Sequence, residues 1–463
     1  MRYLPLTASE REKILKLCGV NDFESLINQV PKDLRVKGLL DLEKALSEIE
    51  LIRHNGELAK KNEAAHMQCH LGQGVYDHSW PVVIDQITNR GEFLTAYTPY
   101  QPELSQGTLQ VIFEFQSMIA DLTAMEVSNA SLYDGPTSLV EGILMSARLQ
   151  GLSSGTVYVS EGLYSRTRTL LETYLSPLGF KLETWRADPK IFRSTQASLV
   201  AKEGEPIVAM VMQSPNKWGL IEDWAELSET AKALKTKSVA AITHMHTPAI
   251  FAAPGEKNVD IVVGEAQALG IPVGFGGPHL GFLACKKIDV RQMPGRVVGA
   301  TVDAKGERAF CVTLSTREQH IRREKATSNI CSNQNLMATR ATLYMTLMGP
   351  EGLKKVAELS RSKAYFARKL LQENAAFKDS ELKVMDGELF NEITILVPQK
   401  LSLWTDETLA YAEERKILAG IKVEVPKASG YVHGLTLAFT EKHSRGDVEK
   451  LVEALTHSLG TTP

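Results

Sequence analysis

The stretch IVAMVMQSPNKWGLIEDWAELSETAKALKTKSVAAIT, residues 207–243, decides the fold. Ile207 to Met212 is an unbroken apolar run of strand length, and the SPNKWG behind it is rich in turn formers. Trp224, Leu227, Ala231 and Leu234 then recur at helical spacing, and Val239 to Thr243 opens a second strand. This is a β-α-β unit. Strands that are apolar throughout, rather than alternating, suit a parallel sheet covered on both faces.

Working outward, Leu109, Ile112, Phe115, Ile119 and Leu122 share a helix face, and Thr156 to Ser160 reads as a strand followed by a helix ending near Gly179. Downstream, short apolar runs at Asp260 to Val263, Gly281 to Cys285 and Ala309 to Leu314 extend the same rhythm. Beyond residue 330 a helical stretch through Met345 meets the breaker Met348-Gly349-Pro350. A second helix follows from Glu351 to Glu373, with Leu353, Val356, Leu359, Phe366 and Leu370 expected on one face. Strands at Ile393 to Val397 and Leu435 to Thr440, with helices at Thr405 to Ile417 and Asp447 to Leu459, make a small α/β module. The first ninety residues read as helical and connective, with a Thr7/Glu10 capping pair, a polar helical stretch from Asp41 to Lys61 and no strand. The expected organisation is an N-terminal helical arm (1–90), a large α/β domain with a mostly parallel sheet (91–330), and a linking helix with a small C-terminal α/β domain (331–463).

At 463 residues the chain exceeds the roughly 250–300 that one core serves, so more than one domain is expected. Lys+Arg number 52 and Asp+Glu 55, a net charge of −3, which argues against a nucleic-acid partner. The start, MRYLPLTASEREKIL, lacks the apolar run of a signal peptide, and no stretch has the ~18–20 apolar residues of a membrane span. A cytoplasmic protein is expected. Cys18, Cys69, Cys285, Cys311 and Cys331 are scattered without a C-x-x-C pair and read as reduced, mostly buried thiols.

Four groups of residues invite a chemical reading. Gly274-Phe275-Gly276-Gly277-Pro278-His279 is either a turn or a place where a ligand approaches the backbone closely, and it is neither a phosphate-binding loop of the Walker type nor a dinucleotide fingerprint. Asn129 to Ser138 runs into a helix start, which serves as an ordinary cap or as an anion site. His66, Cys69, His70, Asp77 and His78 have ligand chemistry but irregular spacing, and His244 and His246, read as alternating on a strand face, lack a third ligand; no metal site is expected. Thr316 to Asn329 carries mixed charges, normally a solvated face, yet it follows a buried strand at a domain junction where ligand sites gather.

Longer stretches then carry a family resemblance. GVYDHSWP (74–81), FLTAYTPYQPELSQG (93–107), NASLYDGPTS (129–138), DIVVGEAQALGIPVGFGGPH (260–279), MPGRVVG (293–299) and STREQHIRREKATSNICSNQ (315–334) resemble the P-protein of the glycine cleavage system, glycine dehydrogenase (decarboxylating), in the subunit 1 form of its two-subunit enzymes. The resemblance implies a fold-type-I pyridoxal-phosphate-dependent transferase-like architecture. Such enzymes hold the cofactor on a lysine that follows a strand near a glycine-rich loop, and they place an acid against the pyridine nitrogen. In register, Gln267 stands where that lysine belongs, and His244 stands near the place of the acid. Lys237, Lys257, Lys286, Lys287 and Lys325 lie near strand or loop ends without both the glycine-rich loop and an acid in order, and read as surface charges.

The resemblance therefore implies a chain that does not catalyse alone. Subunit 2 carries pyridoxal phosphate, subunit 1 supplies another wall of the site, and two of each form a heterotetramer. Glycine is decarboxylated, and the aminomethyl group passes to the lipoyl group of the H-protein. Tyr97, Tyr100, Gln101 and Glu103 are the residues expected to reach the partner's active site, with Arg317, His320 and Arg322 contacting a carboxylate or phosphate. Two rivals remain: a catalytically silent scaffold, and an independent pyridoxal-phosphate lyase or aminotransferase using another lysine.

Overall fold

The computed structural model describes residues 6–36, 38–201, 204–274 and 276–460, and the chain divides into two compact units at Ala65/His66. The first unit contains α1 (Ala8–Leu17), α2 (Phe23–Leu26) and α3 (Glu48–Lys60). The Thr7/Glu10 capping box forms, and a second one, Ser47/Glu50, starts α3, so the helix expected from Asp41 begins only at Glu48. No residue of these three helices is buried.

The second unit opens with β1 (Gln68–Cys69), α4 (Val83–Thr88), α5 (Gly91–Leu94), α6 (Gln106–Thr123), β2 (Val127–Ser128) and α7 (Gly135–Gln150). There follow β3 (Gly155–Ser160), α8 (Ser165–Leu175), β4 (Phe180–Trp185), β5 (Ile207–Ser214), α9 (Trp224–Ala233), β6 (Lys237–Ile242), β7 (Ile261–Glu265) and β8 (Gly281–Cys285). Next come β9 (Val297–Val302), β10 (Arg308–Thr313), α10 (Gln319–Arg322) and α11 (Asn335–Glu373). The last part holds α12 (Ala375–Asp379), β11 (Lys383–Val384), β12 (Glu392–Val397), α13 (Trp404–Glu414), β13 (Ile417–Leu418), β14 (Ile421–Val423), β15 (His433–Ala438) and α14 (Arg445–Thr456). Residues 66–90, placed with the arm by the sequence, belong to this unit, and β1 pairs in parallel with β13.

Seven strands form the main sheet in the order β2-β8-β7-β6-β5-β3-β4, parallel from β4 through β7, with β8 antiparallel to both β7 and β2. Alternate residues feed two cores: Met210, Met212, Ala240, Ile242 and Phe282 on one face, Ala209, Val211, Val239, Ala241 and Leu283 on the other. That two-sided burial is why the strands are continuously apolar. The run ending near Leu314, expected to extend this sheet, instead pairs as β10 with β9 in a separate antiparallel hairpin. A four-stranded antiparallel sheet, β11-β12-β15-β14, backs the C-terminal module around Ile395, Leu435, Phe439 and Leu451.

Within α11, Gly349 is non-helical (φ 59°) and Pro350 restarts the helix, as the breaker predicts. The restart rotates the buried face. Leu353, Val356, Ala357, Ala364, Ala367 and Leu371 are buried while Leu359 is exposed, contrary to its expected place. Only Cys285 among the cysteines is buried, Cys18 and Cys331 are exposed, and all five are free thiols. No helix among the described residues is long and apolar enough to cross a membrane.

Candidate functional site: a closed pocket at the strand ends

In an open α/β sheet the crevice lies beyond the carboxyl ends of the parallel strands. Here β6 and β7 end side by side against the start of α7. A cavity of about 260 Å³ opens there, lined among others by Gly135, Tyr164, Arg166, Thr243, Glu265 and His279. Gly135 lets α7 come close, because a Cβ on it would lie 2.9 Å from the Glu265 side chain and 3.1 Å from its backbone nitrogen.

Two carboxylates of the chain already occupy the positive end of α7. Asp134 caps the helix through Thr137 N–H at 2.7 Å and the Thr137 hydroxyl at 2.8 Å. Glu265 accepts Gly135 N–H at 2.9 Å through one oxygen, and Gln267 N–H at 2.9 Å and Leu280 N–H at 3.0 Å through the other. Burial raises the Glu265 pKa although these backbone donors oppose it. The Asn129–Ser138 stretch therefore supplies a cap, and the amides that a phosphate would use are taken.

Gln267 lies two residues past β7 and is 2% exposed. Its amide oxygen accepts Tyr76 N–H at 3.0 Å, and its NH₂ donates to Tyr76 C=O at 3.1 Å and Ile271 C=O at 2.7 Å. This two-way clamp on one backbone residue draws the 70–80 segment over the strand ends. Tyr76, itself buried, donates its hydroxyl to Glu392 of β12 at 3.1 Å, and the same Glu392 oxygen accepts Gln73 N–H at 2.7 Å. Burial pushes Glu392 up to about 7 despite those donors. Gly72 permits the approach, since a Cβ there would meet Glu392 Oε1 at 2.1 Å.

His244 and His246 sit beyond the end of β6 in a buried turn, not on a strand face, and His78 joins them from the 70–80 segment. Burial, then neighbouring imidazoles, hold the pKa of both His244 and His246 well below the ordinary value, so both are neutral. A neutral imidazole is not the acid that a pyridine nitrogen requires. Together with the amide at 267 and the occupied helix terminus, it means the residues present do not fit pyridoxal phosphate. The pocket, implied by the sequence only through position 267, remains as a cavity whose cofactor-holding groups are replaced or already bonded within the chain.

The remaining candidate residues lie elsewhere on the second unit. Tyr97 (72% exposed), Tyr100 (65%), Gln101 and Glu103 are exposed on the segment between α5 and α6, and His320 and Arg322 are exposed on α10. Arg317 is buried, and its guanidinium donates to the carbonyls of Leu314 (3.1 Å), Gly295 (3.1 Å) and Met293. Arg296, unmarked by the sequence, joins the two stretches: it donates to the Thr98 hydroxyl at 3.0 Å, lies 5.7 Å from the Tyr100 ring centroid, and pairs with Glu318 at 3.6 Å. His320 Nδ1 stands 3.6 Å from the same Glu318. Position 296 within MPGRVVG was the available signal.

A two-faced, mostly parallel sheet with an antiparallel module behind it, and a bonded glutamine two residues past β7, define a chain of the fold-type-I pyridoxal-phosphate enzyme class that has no cofactor lysine in place. A glutamate decarboxylase from Lactobacillus brevis shares this fold at a TM-score of 0.67 and 13% identity, over 95% of this chain and 98% of that one. Residues 1–455 match the family described as glycine cleavage system P-protein. The chain is 40% identical over 459 residues to a protein of Rhodospirillum centenum named probable glycine dehydrogenase (decarboxylating) subunit 1, covering 98% of this chain and 99% of that one. A relative of the same name from Thermomicrobium roseum is 41% identical over 458 residues, again 98% and 99% of the two chains. A crystal structure of glycine decarboxylase (P-protein) of the glycine cleavage system superposes with a TM-score of 0.83 at 38% identity, over 99% of this chain and 100% of that one. The chain belongs to the glycine cleavage system P-protein family.

Proposed function

We propose that this chain is subunit 1 of a two-subunit P-protein, working with a subunit 2 that carries pyridoxal phosphate to decarboxylate glycine and transfer its aminomethyl group to the lipoyl group of the H-protein, in a two-plus-two heterotetramer in the cytoplasm. The observation that carries the reading is Gln267: an amide with every partner satisfied stands where the family fold needs an amine. The cofactor, where the partner holds it, supplies the electron sink for decarboxylation; protein groups orient and screen.

Two surfaces support a partner. The 97–103 segment and α10, tied together by Arg296, expose Tyr97, Tyr100, Leu104 and Ile321 without covering groups. Tyrosines with an apolar ring and a hydroxyl are the residues that interfaces favour. In the first unit Leu17 at the end of α1, and Leu34, Val36, Leu39 and Leu42 between α2 and α3, are 69–97% exposed, apolar surface of the kind that marks protein contacts. On this reading Tyr97, Tyr100, Gln101 and Glu103 face the partner's active site with His320 and Arg322, while Arg317 holds the 293–295 turn.

The test is reconstitution. The chain alone releases no CO₂ from glycine and the pair does; Tyr97→Phe and Tyr100→Phe lower turnover in an assembled complex. Full turnover in both variants establishes the scaffold reading, and activity of the chain alone with added cofactor establishes an independent enzyme.

A further inference from the structure

Three imidazoles come together beyond the end of β6. His78 belongs to the 70–80 segment, and His244 and His246 to the turn after β6; one ring nitrogen from each lies within 4.8 Å of one from each of the others. They are 4%, 0% and 0% exposed. Nearby rings shut out water, with His244 4.7 Å from Phe390 and 4.4 Å from Tyr76 between centroids.

The hydrogen bonds sort the six ring nitrogens. His78 Nδ1–H donates to Glu441 at 2.6 Å, its Nε2 is hydrogen-bonded to His244 Nε2 at 2.9 Å, and His244 Nδ1 accepts His246 N–H at 3.3 Å. His246 Nε2 is bonded to the Tyr344 hydroxyl at 3.0 Å, while its Nδ1 is buried and has no partner. A buried polar nitrogen without a partner is rare, and it calls for a group that the side chains do not provide. His246 thus has an outer partner on one nitrogen and none on the other, and His78 has an outer carboxylate on one nitrogen and only another ring of the trio on the second. That is the arrangement of ligating histidines, whose other nitrogen is held by a carboxylate, a hydroxyl or a carbonyl.

We propose that His78, His244 and His246 form a binding site for a divalent zinc-class metal ion. The donors fix the class: three imidazoles with no carboxylate in the inner shell suit zinc and disfavour magnesium and calcium, which take oxygen. The fit asks for an adjustment in both directions. Zinc–nitrogen distances of about 2.0–2.1 Å in a tetrahedron set ligand nitrogens roughly 3.3–3.4 Å apart, so the His78–His244 pair opens from 2.9 Å and the wider separations, up to 4.8 Å, close as the rings turn toward the ion. The ion ties the 70–80 segment to the sheet, a structural role, and the burial of all three rings means that it binds as the segment closes during folding.

The experiment uses the full-length chain, untagged, grown with zinc and also refolded with zinc after chelation. Elemental analysis is expected to give about one zinc per chain, cobalt to give the visible bands of a tetrahedral ion, and zinc but not magnesium to raise the unfolding midpoint of the chelated protein. Glu441→Gln keeps the three ligands and should weaken zinc about 10–100-fold in a chelator competition, the cost of losing an outer partner. His246→Gln should abolish binding. The proposal is overturned if zinc-grown and zinc-refolded wild type both lack the metal, if folded His246→Gln keeps it, or if Glu441→Gln binds as tightly as wild type. Loss of the metal in Cys18→Ser or Cys331→Ser overturns it as well, since it places the ion on an exposed thiol.

Discussion

Gln267→Lys restores an amine to the position where the fold class carries its cofactor, and the structure says that it restores nothing else. The amide oxygen that accepts Tyr76 N–H disappears; the ammonium still finds Tyr76 C=O and Ile271 C=O. One buried backbone donor is left unpaired, which costs about 1–3 kcal/mol. An equilibrium in which the 70–80 segment lifts from the strand ends should shift by that amount, or about 5- to 150-fold. Hydrogen exchange of peptides spanning residues 70–80, followed by mass spectrometry, reads the shift directly as faster exchange at Tyr76. Cofactor is then offered and borohydride added. Glu265 still occupies the helix terminus, His244 is still neutral and Tyr76 still covers the strand ends, so no pyridoxyl adduct on the introduced lysine is expected. A stoichiometric adduct, with exchange at Tyr76 unchanged, would refute the claim that the pocket is closed by more than one missing amine.

Three further outcomes follow from single contacts. Glu392 is protonated more readily when folded (about 7) than when unfolded (near 4.5), so the folded state binds the extra proton and stability falls as pH rises through that window; Glu392→Gln should spare up to about 3 kcal/mol of that loss, and equal shifts of the unfolding midpoint between pH 5 and pH 8 in variant and wild type count against it. Glu222, pushed up to about 8 by burial, extends the decline in both proteins and cancels from the comparison. Arg317→Lys keeps the charge but cannot span three carbonyls, so a loss of at least ~1 kcal/mol is expected in denaturant unfolding, and unchanged stability would return Arg317 to the set of residues free for a ligand. Gly264→Ala would set a Cβ 2.5 Å from Ile242 C=O and 2.6 Å from the Phe282 ring, so a cost of about 1–3 kcal/mol is expected in the same assay, and a neutral result would mean that β6 and β7 pack more loosely than described.

The sheet was legible because its strands are buried on both faces, and the 207–243 unit carries both periods without interruption. β10 was misplaced, and β9 missed, for a reason of the same kind: an apolar run does not say which strand it pairs with. β4 was missed because only Phe180 and Trp185 of its six residues are buried, so it lacks the signal that marked its neighbours. Leu359 went to the wrong face because the buried stripe passes through Ser360, a small polar residue that an apolar count overlooks in favour of the leucine beside it. Gln267 was legible because an imine requires an amine, which an amide cannot imitate. The His78–His244 contact was not, since 166 residues separate the two rings and neither segment has ligand spacing alone. Arg296 escaped notice because it is a lone cation among apolar neighbours, and only its reach to Thr98 and Glu318 gives it meaning.

A protein that binds a cofactor draws stability from it, because whatever binds only the folded state shifts the folding equilibrium. On the proposed reading this chain holds none and must find that stability in its own contacts, which the strand ends supply. Gln267 clamps Tyr76, Tyr76 and Gln73 engage Glu392 of the C-terminal sheet, and β1 adds two residues to β13 of the same module. The main sheet, the 70–80 segment and the C-terminal sheet are thereby bonded through one buried network that a bound cofactor would have to break. Stability without cofactor and inability to accept one then have a single cause. Changing position 267 should alter both together, whereas changing Tyr97 or Tyr100, exposed and outside the network, should alter neither and act only when the partner is present.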